Sequence, residues 1–463
     1  MGKGVVMNLS HVEMARALFG ITLGYHIVYA TMGVGIPLFI FIAEIFTART
    51  KQPVYQVFAL RMVQILLLLV GVGLVTGTTV AVMLSVLWPT FMRVVGQVIN
   101  VPFEMEIFAF MLESLFLAIY VYGGKRLSVK LRILSTLFMS IGSTASAVLI
   151  TDVNSFMNTP AGVTWVNGTP TRINLLRAVF NPAFPTELAH VVVSAYMAVA
   201  FVMSAVAAKS LLKRDQTGEE RTYHRQTLSL TMAVGGVTSI LTALIGDLSG
   251  KFLAKFQPEK LAAAEGLFHT TRNAPLVIGG IANAAKQRVI GGIHVPDLLS
   301  WLATERFNGT VQGLDHFPKN SWPPLFVHLL FDTMVGIGSF CIAVAVVYWV
   351  HRFRTRTLDV PAWLLRVIFV TGFLAMIGIE AGWCFAEFAR QPWIIYGIMT
   401  VSQAVTPSAS VGVLFIGFVS LYVVLLIGTI WALKRYFRNH PLSEYQVTYT
   451  TQVVKHEKEG NLA

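Results

Sequence analysis

The sequence predicts an all-α polytopic membrane protein with nine transmembrane helices, its N-terminus outside and its C-terminus cytoplasmic. Three observations predict this. Of 463 residues, 55% are hydrophobic and only 13% charged, with a mean hydropathy of +0.66, a balance that soluble globules do not carry. Nine apolar runs are each long enough to cross a hydrocarbon core of about 30 Å as a helix. The basic residues behind the formal charge of +12 gather in alternate loops, which signals topology rather than a nucleic-acid surface.

In chain order the runs cover 17–45, 58–87, 102–122, 133–151, 186–210, 227–246, 324–350, 362–386 and 411–433. Arg49, Lys51 and Arg61 follow the first. Lys125, Arg126, Lys130 and Arg132 follow the third, and Lys209, Lys213, Arg214, Arg221 and Arg225 the fifth. Arg352, Arg354 and Arg356 follow the seventh, and Lys434, Arg435 and Arg438 the ninth. The positive-inside rule makes these loops cytoplasmic. The chain then divides into 1–246 with helices one to six, an outer loop 247–322, 323–440 with helices seven to nine, and a cytoplasmic tail 441–463. A connection as long as 247–322 is usually functional. No cleavable signal pattern opens the chain. Cys341 and Cys384 lie in apolar runs and form neither a CxxC site nor a disulfide framework. Gly71, Gly73 and Gly77 read as small-residue helix packing.

Ionisable residues inside such runs are costly, so they face a bundle interior, pair, or bind something. The stretch GIEAGWCFAEFARQPW (378–393) holds Glu380 and Glu387 seven residues apart, on one helix face about 10 Å from each other. Pro392 ends that helix, and Arg390 and Trp393 fit either interfacial anchors or a ligand site. Glu106 and Glu113 in PFEMEIFAFMLES repeat the spacing, which suits a proton relay or a metal-type ligand. Glu104, nearer the helix start, reads as interfacial. His26 lies in mid-helix among small residues, either as a ligand or bonded to a neighbouring helix. His190 opens the fifth run and Met334 lies in the seventh. A buried Met is most often core, but a His and a Met on two helices can also form the axial pair of a low-spin haem. On spacing alone, Lys260 and Glu265 flank a solvated surface helix.

The segments RALFGITLGYH (16–26), PFEMEIFAFMLES (102–114), SAVLI with NSFMNTPAG (146–162), NP…H (181–190), GDLSG (246–250), KLAAAE (260–265), MVGIG (334–338) and EAGWCFAEFARQPW (380–393), in this order, resemble subunit I of the cytochrome bd-type quinol oxidases over nearly the whole chain. The resemblance implies roles. His190 and Met334 match the axial ligands of the low-spin haem b. His26 matches an axial ligand at the di-haem oxygen-reducing site, and Glu380 and Glu106 match acids that ligate or flank the haems there. Glu113, Ser114 and Ser146 match the polar route for cytoplasmic protons, and Lys260 and Glu265 the quinol-binding residues of the outer loop, the Q-loop. Arg390 and Trp393 complete the expected cofactor-binding set.

The implied activity is a prokaryotic cell-membrane terminal oxidase. It oxidises menaquinol or ubiquinol at the outer face, reduces oxygen to water, and builds proton-motive force without a pump. It would carry two or three haems b, with haem d or a further haem b open at the third site. Expected partners are a second membrane subunit, lipid, and an optional small single-helix subunit; nucleic acid is not one. Three departures stand against the family pattern: VAVMLSVLWPTF (80–91) has no acid after the TG of helix two, Asp332 replaces an arginine found in some members, and the Q-loop is short. The departures keep open a haem-binding electron-transfer subunit that does not reduce oxygen. A cofactor-free transporter would explain Glu106 and Glu380 but not the His and Met residues, and the chain has no repeated halves.

Overall fold

A computed structural model describes residues 11–166, 168–213, 215–406 and 411–442. Among them, nine helices are long and apolar enough to cross a membrane: α1 (His11–Thr50), α2 (Pro53–Leu87), α4 (Asn100–Gly123), α5 (Val129–Asn158), α7 (Phe184–Leu211), α8 (Gly218–Phe256), α11 (Val327–Thr355), α12 (Ala362–Phe388) and α14 (Val411–Asn439). The shorter α3 (Pro89–Val98) and α6 (Leu175–Val179) lie between them, and α9 (Pro258–Ala264), α10 (Leu298–Thr304) and α13 (Val401–Ala404) sit in the connections.

Every membrane helix is longer than its apolar run except at the start of α11, because helices continue past the hydrocarbon where polar ends meet water. Ser128 caps α5 by accepting from Leu131 N, and a Thr217–Glu220 capping box starts α8. The largest correction is at α8. It runs ten residues past the expected end at 246, to Phe256, and stops before Pro258, so the GDLSG motif is helical. Residues 80–91 divide between the end of α2 and the start of α3, broken at Trp88 before Pro89.

α1 is the axis of the bundle, packing on α2, α5, α7, α12 and α14, while α7 packs on α8 and α12, and α12 on α11. Small residues let backbones approach. A Cβ on Gly35 would stand 2.4 Å from Val199 Cγ2, and one on Gly372 2.4 Å from Ala205 Cβ and 2.8 Å from Phe201 O. Hydroxyls stitch the seams: Tyr422 Oη donates to Thr22 Oγ1 at 2.8 Å and Ser204 meets Thr231 at 2.7 Å. Gly372→Val is expected to prise α12 from α7 at a cost of about 1–3 kcal/mol or more, seen as a lower melting temperature in detergent; an unchanged melting temperature would refute this close seam.

The long connection between α8 and α11 is built rather than structureless. After α9 come the paired strands β3 (Thr271–Arg272) with β8 (Thr310–Val311), β4 (Leu276–Ile278) with β7 (Ile293–Val295), and β5 (Ile281–Asn283) with β6 (Arg288–Ile290), all antiparallel. A hairpin of β1 (Val163–Val166) and β2 (Thr169–Ile173) follows α5, and β9 (Trp393–Ile395) pairs with β10 (Met399–Thr400) after α12. The tail expected over 441–463 lies outside the described residues from 443 onward.

Candidate active site

Residues of α1, α2, α4, α5 and α12 dominate the lining of a cavity of about 1310 Å³, larger than the roughly 300–1,000 Å³ of most small-ligand pockets. His26, Glu106, Glu113, Ser146, Arg390 and Trp393 all line it. His26 Nδ1 lies 2.9 Å from Thr76 Oγ1. The Thr76 hydroxyl is itself within 3.1 Å of the carbonyls of Val72 and Gly73, so its oxygen accepts from Nδ1–H. That leaves the imidazole lone pair on Nε2, the state a metal requires. Gly77 makes the room, since a Cβ there would stand 3.1 Å from His26 Cε1.

Ser146 Oγ donates to Glu106 Oε1 at 2.7 Å. Glu113 is 5% exposed, and its Oε1 has no hydrogen-bond partner among the described residues. α4 and α5 touch here: a Cβ on Gly142 would stand 2.6 Å from Glu113 N. Glu104 is exposed and bonded by Asn100 at the start of α4. Glu380 does not line the cavity. It reaches α1, where a Cβ on Gly24 would lie 3.3 Å from its Oε2, and its buried Oε1 has no hydrogen-bond partner among the described residues.

His190 lies on α7 and Met334 on α11, helices that both pack against α12. Each faces a glycine. A Cβ on Gly382 would stand 3.0 Å from Met334 Sδ, and one on Gly246 3.6 Å from His190 Cε1. His190 Nδ1 is buried and unpartnered among the described residues. Among those residues no three His, Cys, Asp or Glu side chains converge on one point. Single imidazole and thioether donors, each with space kept before it, fit a haem iron, whose macrocycle fills four positions and leaves the axial ones to the protein.

α9 carries Lys260, and Glu265 follows its last residue; both are 5% exposed. Neither is on a solvated face, so the spacing-only expectation fails. Five residues on a helix turn the second side chain well away from the first. Lys260 Nζ points at α12, 3.4 Å from Ala386 O and 5.4 Å from the Phe385 ring centre. Burial holds its pKa below the usual lysine value, and Glu187 opposes this. Glu265 faces α11. Burial first, and then the nearby Asp332 carboxylate, push its pKa up to about 8. Asp332 accepts from Gly279 N at 2.6 Å and so pins the long loop.

Sequence reading missed the partners of these residues. Arg390 is 4% exposed and pairs with Glu387 at 2.6 Å, so it is no interfacial anchor. Asn154 bonds Glu387 at 2.5 Å, Asn158 bonds Glu187 at 2.8 Å, and Gln257 donates to Asn158 O at 2.6 Å. His328 ties α9 to the loop, 2.7 Å from Ala264 O and 3.2 Å from Gly279 O. Each lies near a helix end, where a polar residue looks ordinary, although Asn154 and Asn158 fall inside NSFMNTPAG and Glu387 and Arg390 inside EAGWCFAEFARQPW.

Comparison with known proteins gives the family. The family model for cytochrome bd terminal oxidase subunit I matches residues 14–441. A Bacillus subtilis (strain 168) chain, provisionally named cytochrome bd menaquinol oxidase subunit I, is 44% identical over 93% of this chain and 97% of its own. The cytochrome bd-II ubiquinol oxidase subunit 1 of Escherichia coli (strain K12) is 25% identical over 93% of this chain and 97% of its own. A chain of the bd oxidase structure from Geobacillus thermodenitrificans superposes with a TM-score of 0.88 at 44% identity, over 93% of this chain and 99% of that one. With the nine apolar helices, these matches make the chain a multi-pass prokaryotic membrane protein, and it belongs to the cytochrome bd terminal oxidase subunit I family.

Proposed function

We propose that this chain is the haem-bearing catalytic subunit of a quinol:oxygen oxidoreductase, working with a second membrane subunit and, in some assemblies, a small single-helix one. The reading rests above all on one pattern: His26, His190 and Met334 stand singly, each facing a glycine of a neighbouring helix. His190 and Met334 would hold a low-spin haem b, and His26, Glu380 and Glu106 would hold or flank two further haems. When bound, these groups supply the electron transfer and the oxygen chemistry.

The protein's own residues do the rest. The segment after α8, at the outer face when the N-terminus is outside, positions menaquinol or ubiquinol with Lys260 and takes its protons with Glu265. Glu113 and Ser146 pass cytoplasmic protons to Glu106. Two quinols supply the four electrons that one oxygen needs. Quinol protons leave outside and the protons of water come from inside, so proton-motive force builds without a pump.

A reduced-minus-oxidised spectrum with extracted-haem analysis tests this. Haem b with a red-shifted chlorin band supports a bd-type centre. Haem b alone points to a b-only oxidase, and an intact colourless protein refutes the ligand assignments. Oxygen uptake by the complex separates an oxidase from an electron-transfer subunit that does not reduce oxygen.

Glu265 sets a pH dependence. Below its pKa of about 8 it carries a proton and cannot accept another; above it, it can. Quinol kcat/KM is therefore expected to climb about tenfold per pH unit below that value and then level off. Glu265→Gln flattens the profile. A flat parental profile counts against Glu265 as the acceptor.

A further inference from the structure

We propose that Glu44, held by Tyr120 and Arg132, is the carboxylate that collects protons at the cytoplasmic surface and passes them toward Glu113; this rests on the oxidase reading above. Glu44 lies in the last turns of α1 and is wholly buried. Tyr120 Oη on α4 donates to its Oε1. Arg132 Nε, at the start of α5, is 3.5 Å from its Oε2. That separation is long for a direct hydrogen bond, and both Glu44 Oε2 and Arg132 Nε lack a hydrogen-bond partner among the described residues. A pair present only for structure would close and satisfy both atoms. Buried unpaired polar atoms call for ordered water.

The triad also bridges two environments. The Arg132 side chain is 18% exposed and that of Glu44 0%. Arg132 closes the basic stretch 125–132, which the positive-inside rule places in the cytoplasm. From the triad a polar track leads inward. Tyr120, Glu113 and Glu106 repeat every seven residues, so they share one face of α4 at steps of about 10 Å. The facing α5 carries Arg132, Thr136, Ser140, Ser143 and Ser146 at helical spacing, and Thr136, Ser140 and Ser143 are buried. The Thr136 and Ser143 protons go to carbonyls of their own helix, which leaves oxygen lone pairs to accept from water between the helices. The track ends at the Ser146–Glu106 bond, and its middle member, Glu113, has a buried oxygen with no hydrogen-bond partner among the described residues. Along this route a proton moves from surface water to the Glu44 carboxylate and on through water to Glu113; no other bond changes.

The test uses the complete oxidase carrying Glu44→Gln, Glu44→Asp or Tyr120→Phe. In Glu44→Gln the haem spectrum and the anaerobic rate of haem reduction by quinol stay parental, while oxygen uptake falls by about 100-fold, within the range of a lost proton-transfer group. Glu44→Asp recovers part of the rate. In proteoliposomes, proton uptake on the cytoplasmic side falls in step with oxygen uptake. Glu44→Gln with parental oxygen uptake overturns the proposal, as does an equal slowing of haem reduction. If Glu44→Gln does not assemble, Tyr120→Phe and Arg132→Gln decide: slowed oxygen uptake with normal haem reduction supports the route, and parental uptake overturns it. A parental complex that consumes no oxygen refutes the oxidase reading itself, whereas normal parental uptake with an unaffected Glu44→Gln refutes only this route.

Discussion

His190→Leu is expected to delete one low-spin haem b from the reduced-minus-oxidised spectrum and to cut quinol-driven oxygen uptake by more than about 100-fold, because even outer partners of a metal ligand are worth about 10–100-fold. A leucine fits the apolar wall of α7, so the helix is expected to stay in place. What disappears is the imidazole nitrogen that faces Gly246, buried and without a hydrogen-bond partner among the described residues. Met334→Leu removes a softer donor of similar volume and leaves the imidazole, so that haem is expected to remain but turn high-spin with a lowered potential. Were His190 only a packing histidine, relieving its unsatisfied nitrogen would leave the spectrum untouched and raise stability. An unchanged spectrum in His190→Leu would therefore remove the axial pair from the mechanism.

Lys260→Met separates the quinol site from the haems. Methionine keeps the length and loses the charge. Lys260 is buried beside Glu187, Arg390 and Glu387, and breaking a buried charge network costs about 3–5 kcal/mol. Quinol oxidation is expected to fall by about two orders of magnitude, a cost of about 3 kcal/mol at about 1.4 kcal/mol per decade. Reduction of the haems by dithionite, which needs no binding site, stays at the parental rate. Adding Glu187→Gln removes the surplus negative charge, so it restores melting temperature but not quinol turnover. Parental kcat and KM for quinol in Lys260→Met would place the quinol elsewhere.

Much of this was legible in the sequence. The helix number follows from hydropathy alone, because the bilayer sets one length scale that every run must meet. His26, Glu106, Glu113 and Glu380 stood out because lipid makes a buried polar group costly. Helix ends were not legible, since beyond the hydrocarbon a polar residue is equally at home in helix or loop; hence the ten residues of α8 assigned to the loop. The charge network of Glu187, Asn158, Gln257, Lys260 and Glu387 was hidden for another reason. Its members come from α5, α7, α9 and α12 and from the turn between α8 and α9, and only tertiary packing brings them together. The resemblance grouped Glu113 with Ser114 and Ser146, and the bond that Ser146 makes is to Glu106. Seven-residue spacing identifies a face but not the height at which a neighbouring helix meets it.

The C-terminal half of α12, with the turn after it, has an electrical consequence. Glu380, Gly382, Phe385, Ala386, Glu387 and Arg390 touch α1, Met334, Lys260 and the cavity in turn, within about 15 Å of helix, half the depth of the hydrocarbon core. On the proposed orientation, quinol, both donor sets and the cavity lie within one half of the membrane. Electrons then cross at most about half of the transmembrane potential. Protons rising from the Glu44 side cross most of the field and bear up to about 2.3 kcal/mol per charge per 100 mV. Energising the membrane should thus brake the enzyme at its proton supply, while its haems continue to fill with electrons.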